Sequence, residues 1–244
     1  MKHCSLCGGR GIILQKGVAR PCSCMQELSL LKKITNSHLT NKMRNFTFDK
    51  FNFNYYSKAR KDHNKFNSYY DSAVKSFNAA RDFASKCVQG EKPDGLFLTG
   101  PVGSGKTYLS CCIANYILDA GKHVLFLVVP DFLDSIRATF DAAKRENYSE
   151  QHLVDEARKS PVLILDDLGA HNYTDWTKNK VYSILNYRLN NSLPTIITSN
   201  ISLEDLTAFL GDRTTSRIFE MCRPFRLPVE MDIRILMRQA ANKD

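Results

Sequence analysis

The stretch LFLTGPVGSGKTYLS constrains this chain more than any other. Gly100, Pro101, Val102, Gly103, Ser104, Gly105, Lys106 and Thr107 fit the pattern G-x-x-x-x-G-K-[ST]. An apolar run precedes the motif and a helical stretch follows it, which is the context the pattern requires. Its glycines let backbone N–H groups wrap phosphate oxygens, and the start of the helix adds favourable dipole charge. Lys106 is placed to reach the β- and γ-phosphates of a nucleotide, and Thr107 to offer its hydroxyl to Mg2+. A glycine loop arising by chance has no reason to carry both the lysine and the threonine in register.

The rest of the chain agrees with that motif. Apolar runs at 96–99, 124–129, 162–165, 195–198 and 225–227 read as strands. Between them, 106–120, 131–140, 150–159 and 179–190 read as helices. The spacing of Ala73, Val74, Phe77, Ala80, Phe83, Ala84 and Val88 predicts a further helix from about residue 71, stopped by Gly90 and Pro93. Strands apolar on both faces and alternating with helices imply an α/β fold whose parallel sheet is covered on both sides. A chain of 244 residues, 43% hydrophobic and 24% charged, has the core for one such domain plus a small appendage. No apolar run approaches the ~20 residues of a membrane span. The amino terminus shows no apolar segment of the kind a secretory signal carries, so the expected compartment is the cytoplasm.

Charge and cysteine divide the chain unevenly. Residues 1–70 hold thirteen Lys/Arg against Glu27, Asp49 and Asp62, a balance of +10, whereas the remainder sums to −1. This places a polyanion or an acidic partner on the amino-terminal third; a solvating tail is the alternative. Residues 46–70 carry nine aromatics among Lys, Arg and Asn without a helical period, and read as a linker between residues 1–45 and a body at 71–244. The aromatics are able to pack onto the body or to stack on single-stranded bases. Cys4, Cys7, Cys22 and Cys24 lie within the first two dozen residues. In a reducing compartment, two close pairs fourteen residues apart imply a Cys4 zinc module, with unliganded thiols or an iron–sulfur cluster as alternatives and His3 a possible substitute ligand. The remaining four cysteines read as buried small hydrophobes.

Three further stretches carry chemistry. In PVLILDDLGAH, Asp166 and Asp167 sit at the carboxyl end of a strand, where α/β sheets bind ligands. Asp166 is suited to orient Mg2+ and Asp167 to polarise an attacking water. In LPTIITSNISLEDL, Asn200 directly follows a β-branched strand, where its amide can bond that water or a γ-phosphate; as a turn and cap, Ser199-Asn200 with Ser202 needs no such role. In FLGDRTTSRIFEM, Arg213 and Arg217 share a helix face, from which one can reach a neighbouring subunit's nucleotide. Surface ion pairs or phosphate contacts to nucleic acid are the alternatives.

Taken together, GPVGSGKT, LILDDLG, TSN and DRTTSRI followed by RPFRLP resemble the AAA+ ATPases, and more narrowly the DnaC/DnaI helicase loaders, with IstB transposition ATPases as close relatives. The resemblance covers about residues 46–238. It implies that Lys106 and Thr107 bind ATP and Mg2+, and that Asp166 and Asp167 form Walker B. It likewise implies that Asn200 is sensor 1, that Arg217, or Arg213, is an arginine finger, and that Arg234 is sensor 2. After Arg234 only ten residues remain, which implies the truncated, lid-less form of these loaders. Their output is placement of a DnaB-type replicative helicase on single-stranded DNA, with ATP hydrolysis as a switch. The resemblance makes Phe140 and Arg137 candidate DNA contacts, although Phe132, Leu133, Ile136 and Phe140 also read as a core-facing helix stripe. It further implies that a zinc-bearing arm contacts the helicase. An IstB-like transposition helper is the runner-up, and a P-loop small-molecule kinase is the reading from another class.

Overall fold

The computed structural model describes residues 7, 11–15, 18–22, 37–62, 66–141, 150–169 and 173–241. Near the amino terminus, β1 (Ile12–Gln15) and β2 (Val18–Pro21) pair as an antiparallel hairpin. The body opens with α1 (Tyr69–Gln89). Ser68 and Asp71 close a reciprocal capping box at its start, and Gly90 ends it with φ 89°, a left-handed conformation that a side chain would strain. Strands and helices then alternate as β3 (Gly95–Thr99), α2 (Lys106–Asp119), β4 (Leu125–Val128), α3 (Val129–Asp141), α4 (Glu150–Lys159) and β5 (Leu163–Asp166). They continue as α5 (Asp175–Asn190), β6 (Thr195–Ser199), α6 (Leu203–Leu210), α7 (Asp212–Met221), β7 (Cys222–Arg226) and α8 (Ile233–Ala241). No described helix is long and apolar enough to cross a membrane.

The five strands of the body pair in parallel in the order β4-β5-β6-β3-β7. Successive side chains of a strand point to opposite faces, and here both faces are buried. Phe97, Leu125, Leu127, Leu163, Leu165 and Ile197 join one core cluster, with Leu133 and Ile136 of α3 and Ile184 and Leu185 of α5. Leu96, Leu98, Phe126, Ile164 and Ile196 join the other, with Phe83 of α1 and Leu109, Ile113 and Ile117 of α2. This double burial makes the strands continuous apolar runs in the sequence. β7 is the exception, covering Cys222–Arg226 where 225–227 is expected. It is an edge strand paired only with β3, so Arg223 and Pro224 are tolerated on it and hide its strand character.

The aromatic segment packs against the body. It forms short 3-10 turns at Phe48–Lys50 and Phe53–Tyr55, and another, Met43–Asn45, lies just ahead of it. Phe46 stacks on Tyr108 with ring centroids 4.6 Å apart, while Phe48 and Phe53 meet Phe77 edge-on at 5.3 and 5.1 Å. Phe66 stays 89% exposed. Ser37, further upstream, accepts a 3.0 Å hydrogen bond from Phe126 N, so the preceding chain also meets the β4 edge of the sheet.

One buried cation ties the far side of the fold together. Arg188 of α5 is wholly inaccessible to solvent. Its guanidinium donates to the carbonyls of Ala157, Arg158, Ser160 and Pro194 and to Thr195 Oγ1, at 2.7 to 3.1 Å. Three of these acceptors lie at the carboxyl end of α4, where carbonyls lack helical partners and a cation is favoured by the dipole. Burial pulls its pKa down to about 9, which still leaves it charged at neutral pH.

Candidate functional site

The strand order decides where a ligand can bind. From β3 the chain crosses to the β4 edge, whereas from β6 it passes over β3 to β7. The carboxyl ends of the adjacent strands β5, β6 and β3 therefore form the crevice at which doubly wound sheets bind ligands. Asp166 ends β5, Asn200 follows β6, and the glycine loop follows β3.

The loop is shaped to receive an anion. Gly103 and Gly105 have φ 71° and 94°, and a Cβ at Gly103 would come within 1.9 Å of the Asp232 carboxylate. Both positions thus need glycine for conformation, and both also for space, since a Cβ at Gly105 would come 2.8 Å from the Tyr56 hydroxyl. Lys106, at the start of α2, is 6% exposed. Its Nζ donates to Gly100 O at 2.8 Å, to Pro101 O at 2.9 Å and to Asn200 Oδ1 at 2.6 Å. Burial lowers its pKa to about 8, against the pull of Asp167 and Asp166. A lysine held so close to losing its proton gains more than most from a phosphate beside it.

Two aspartates face this lysine in different settings. Asp166 accepts from Thr107 Oγ1 at 2.9 Å and from Thr198 Oγ1 at 2.7 Å. Burial raises its pKa, with those two hydrogen bonds opposing the rise. The hydroxyl and carboxylate together are a hard oxygen donor pair of the kind that suits Mg2+. Asp167 is held at φ 63°, an unusual conformation for a residue with a side chain. It accepts from Asn200 Nδ2 at 2.9 Å, completing a chain from Lys106 through Asn200 to Asp167. Thr198, which sequence reasoning passes over as a β-branched strand former, donates to Asp166 and accepts from Asp167 N at 2.9 Å. One hydroxyl therefore fixes both aspartates.

The other expected residues are placed less centrally. Arg213 and Arg217 both lie on α7; Arg213 is exposed, and Arg217 bonds Glu220 at 3.1 Å and Tyr182. Arg234, on α8, pairs with Asp232 at 3.1 Å beside the loop, where Ile233 N donates to Gly103 O at 3.0 Å. Arg137 pairs with Asp134 at 3.2 Å. Phe132, Leu133 and Ile136 are core residues, as the helix-stripe alternative expects, and the side chain of Phe140 lies outside the described residues. So do Cys4 and Cys24. Cys7 and Cys22 are buried at the base of the hairpin, with Gly11 N donating to Cys7 Sγ at 3.3 Å. Among the described residues no group of three or more His, Cys, Asp or Glu is placed to hold a metal ion.

Sheet order, glycine loop and paired aspartates define a P-loop nucleotide-binding protein of the AAA+ type. A family model described as IstB-like ATP binding protein matches residues 26–220, and the chain belongs to that family. It is 26% identical over 220 residues to the uncharacterized protein YqaM of Bacillus subtilis, covering 88% of this chain and 64% of that one. It is 29% identical over 136 residues to the replicative helicase loader DnaI of the same organism, covering 55% of this chain and 42% of the relative. A solved structure of the DnaC helicase loader superposes with a TM-score of 0.60 at 26% identity, covering 78% of this chain and all of that one. The aligned regions thus leave more than a third of each of these two Bacillus relatives unmatched.

Proposed function

We propose that this protein is an ATP-driven loader of a ring-shaped, DnaB-type replicative helicase, placing it on single-stranded DNA in the cytoplasm. The observation that supports this reading best is the chain Lys106–Asn200–Asp167 beside the Thr107–Asp166 pair. Those contacts lie in a fold shared with proteins named as helicase loaders. Lys106 exchanges its loop carbonyls for the β- and γ-phosphates as ATP enters, and that exchange frees Asn200 Oδ1. Asn200 and Asp167 then hold the attacking water in line, with Asp167 drawing on its proton. Thr107 and Asp166 hold Mg2+, which, when bound, neutralises charge on the β- and γ-phosphate oxygens. Arg234 leaves Asp232 for the phosphates, and Arg217 of an adjacent copy, or Arg213, offsets charge in the transition state.

In this reading residues 1–45 are the helicase-docking arm, residues 46–70 join it to the ATPase at 71–244, and Cys4, Cys7, Cys22 and Cys24 hold a structural zinc. The Gly11 N–H to Cys7 Sγ contact is the kind of bond that steadies a metal-bound thiolate. Arg137 and Phe140 are offered to the DNA strand. The test is size measurement of the full chain mixed with the replicative helicase, with elemental analysis of the joint peak. A stable complex containing zinc, lost on deletion of residues 1–45, is the expected result. A complex that survives the deletion refutes the docking role, and capture by a transposase instead of the helicase favours the IstB-like alternative.

The finger has its own measurement. Replacing Arg217 with alanine should leave ATP affinity unchanged and lower the hydrolysis stimulated by assembly by ~1,000-fold or more, the low end of what such arginines contribute. Equal hydrolysis by dilute monomers and concentrated assemblies of both proteins would exclude a trans-acting role.

A further inference from the structure

We infer that the hydroxyl of Tyr56, from the aromatic segment ahead of the body, positions the phosphate loop and so makes that segment a working part of the nucleotide site. The inference rests on the ATP-binding reading and extends it to a residue outside the loop motif. Tyr56 is 3% exposed, and its ring stacks on Phe51 with centroids 5.7 Å apart and planes within 13°. Its hydroxyl donates to Ser104 O at 2.8 Å. A Cβ at Gly105 would lie 2.8 Å from the Tyr56 hydroxyl oxygen, so the tyrosine bears directly on the last glycine of the loop.

The consequence follows from peptide geometry. The Ser104–Gly105 amide is planar, and in a trans peptide the C=O and the following N–H point in opposite directions. Anchoring Ser104 O on Tyr56 therefore turns the Gly105 N–H toward the far side, the side on which the loop wraps an anion. Gly105 has φ 94°, in a region where glycine moves freely, so without an anchor this peptide can rotate at little cost. Donation to the carbonyl also polarises the amide and strengthens its N–H as a donor. Burial pushes the Tyr56 phenol well above its ordinary value of 10.0, which keeps it a donor throughout the usable pH range.

The test uses the full-length protein with two probes, ATP and inorganic tripolyphosphate, the second lacking base and sugar. Tyr56→Phe keeps the ring and removes the hydroxyl. It should weaken both probes by about five- to tenfold, the worth of one neutral hydrogen bond. Phe48→Leu loosens the same aromatic cluster without touching the loop. It should lower the melting temperature at least as much as Tyr56→Phe yet leave both affinities unchanged. Unaltered tripolyphosphate affinity in Tyr56→Phe overturns the inference, as does an equal loss in Phe48→Leu, because a purely structural tyrosine predicts that pattern. A wild-type protein that binds neither probe defeats the ATP-binding reading itself, and the inference with it.

Discussion

An alanine at position 106 is expected to abolish nucleotide binding, at least ~100-fold by titration calorimetry, while the protein stays folded. The ammonium is the cation closest to the arriving phosphates, and hydrogen bonds to charged groups contribute about 1.5–3 kcal/mol each. Folding should survive because Lys106 is costly where it stands. Its pKa is lowered from 10.5 to about 8, chiefly by burial. A base depressed in this way diminishes stability below about pH 8, and the deficit fades as pH rises toward 10.5. The sign reverses for ligand binding in the wild type, because a bound phosphate raises the pKa that burial had lowered. Below about pH 8 the lysine is charged with or without ATP, and this group makes affinity insensitive to pH. Above it a proton must be taken up on binding, so affinity falls by up to about tenfold per pH unit. Calorimetry at pH 9 in buffers of different ionisation enthalpy should detect uptake of a fraction of one proton. Proton release there would mean that a different group dominates.

Replacing Arg188 with methionine should cost about 3–5 kcal/mol in urea unfolding, because four buried carbonyls lose their donor and relaxation recovers only part of that loss. Methionine approximates the aliphatic stem but offers no donors. The carbonyls of Ala157, Arg158, Ser160 and Pro194 would then be left buried beside an apolar side chain, each at a cost of about 1–3 kcal/mol before relaxation. Lysine in the same place would restore the charge without the planar fork that reaches five acceptors, and should recover less than half of the loss. Since Arg188 makes its contacts at α4 and β6 rather than at the glycine loop, ATP affinity of whatever remains folded should match the wild type. A loss below about 1 kcal/mol, the ordinary surface or single-bond range, would show that water replaces the guanidinium.

The parts legible in advance are those written in consecutive residues. Gly100 to Thr107 encode a loop and its helix because glycine, lysine and threonine at fixed offsets have few other uses. Asp166 and Asp167 were visible because they close an apolar run. Strands β3, β4, β5 and β6 were visible because both their faces are buried, whereas β7 gave little sign because an edge strand tolerates Arg223 and Pro224. The start of α5 was expected at residue 179 and lies at Asp175, capped by Thr174, since its first turn carries little apolar periodicity.

The sequence by itself determined a phosphate-binding loop, a doubly covered parallel sheet and two carboxylates at a strand end, because each of these follows from local spacing and side-chain period. Only the tertiary structure decided that Thr198 fixes both aspartates, that Asp232 lies over Gly103, that Tyr56 anchors the Ser104 carbonyl, and that Arg188 gathers the end of α4. The physical reason is that a hydrogen bond between distant positions imposes no period on the chain. Tyrosine, threonine or arginine in isolation is compatible with surface and core alike, and what each does depends on which unpaired carbonyl or carboxylate the fold brings within 3 Å of it.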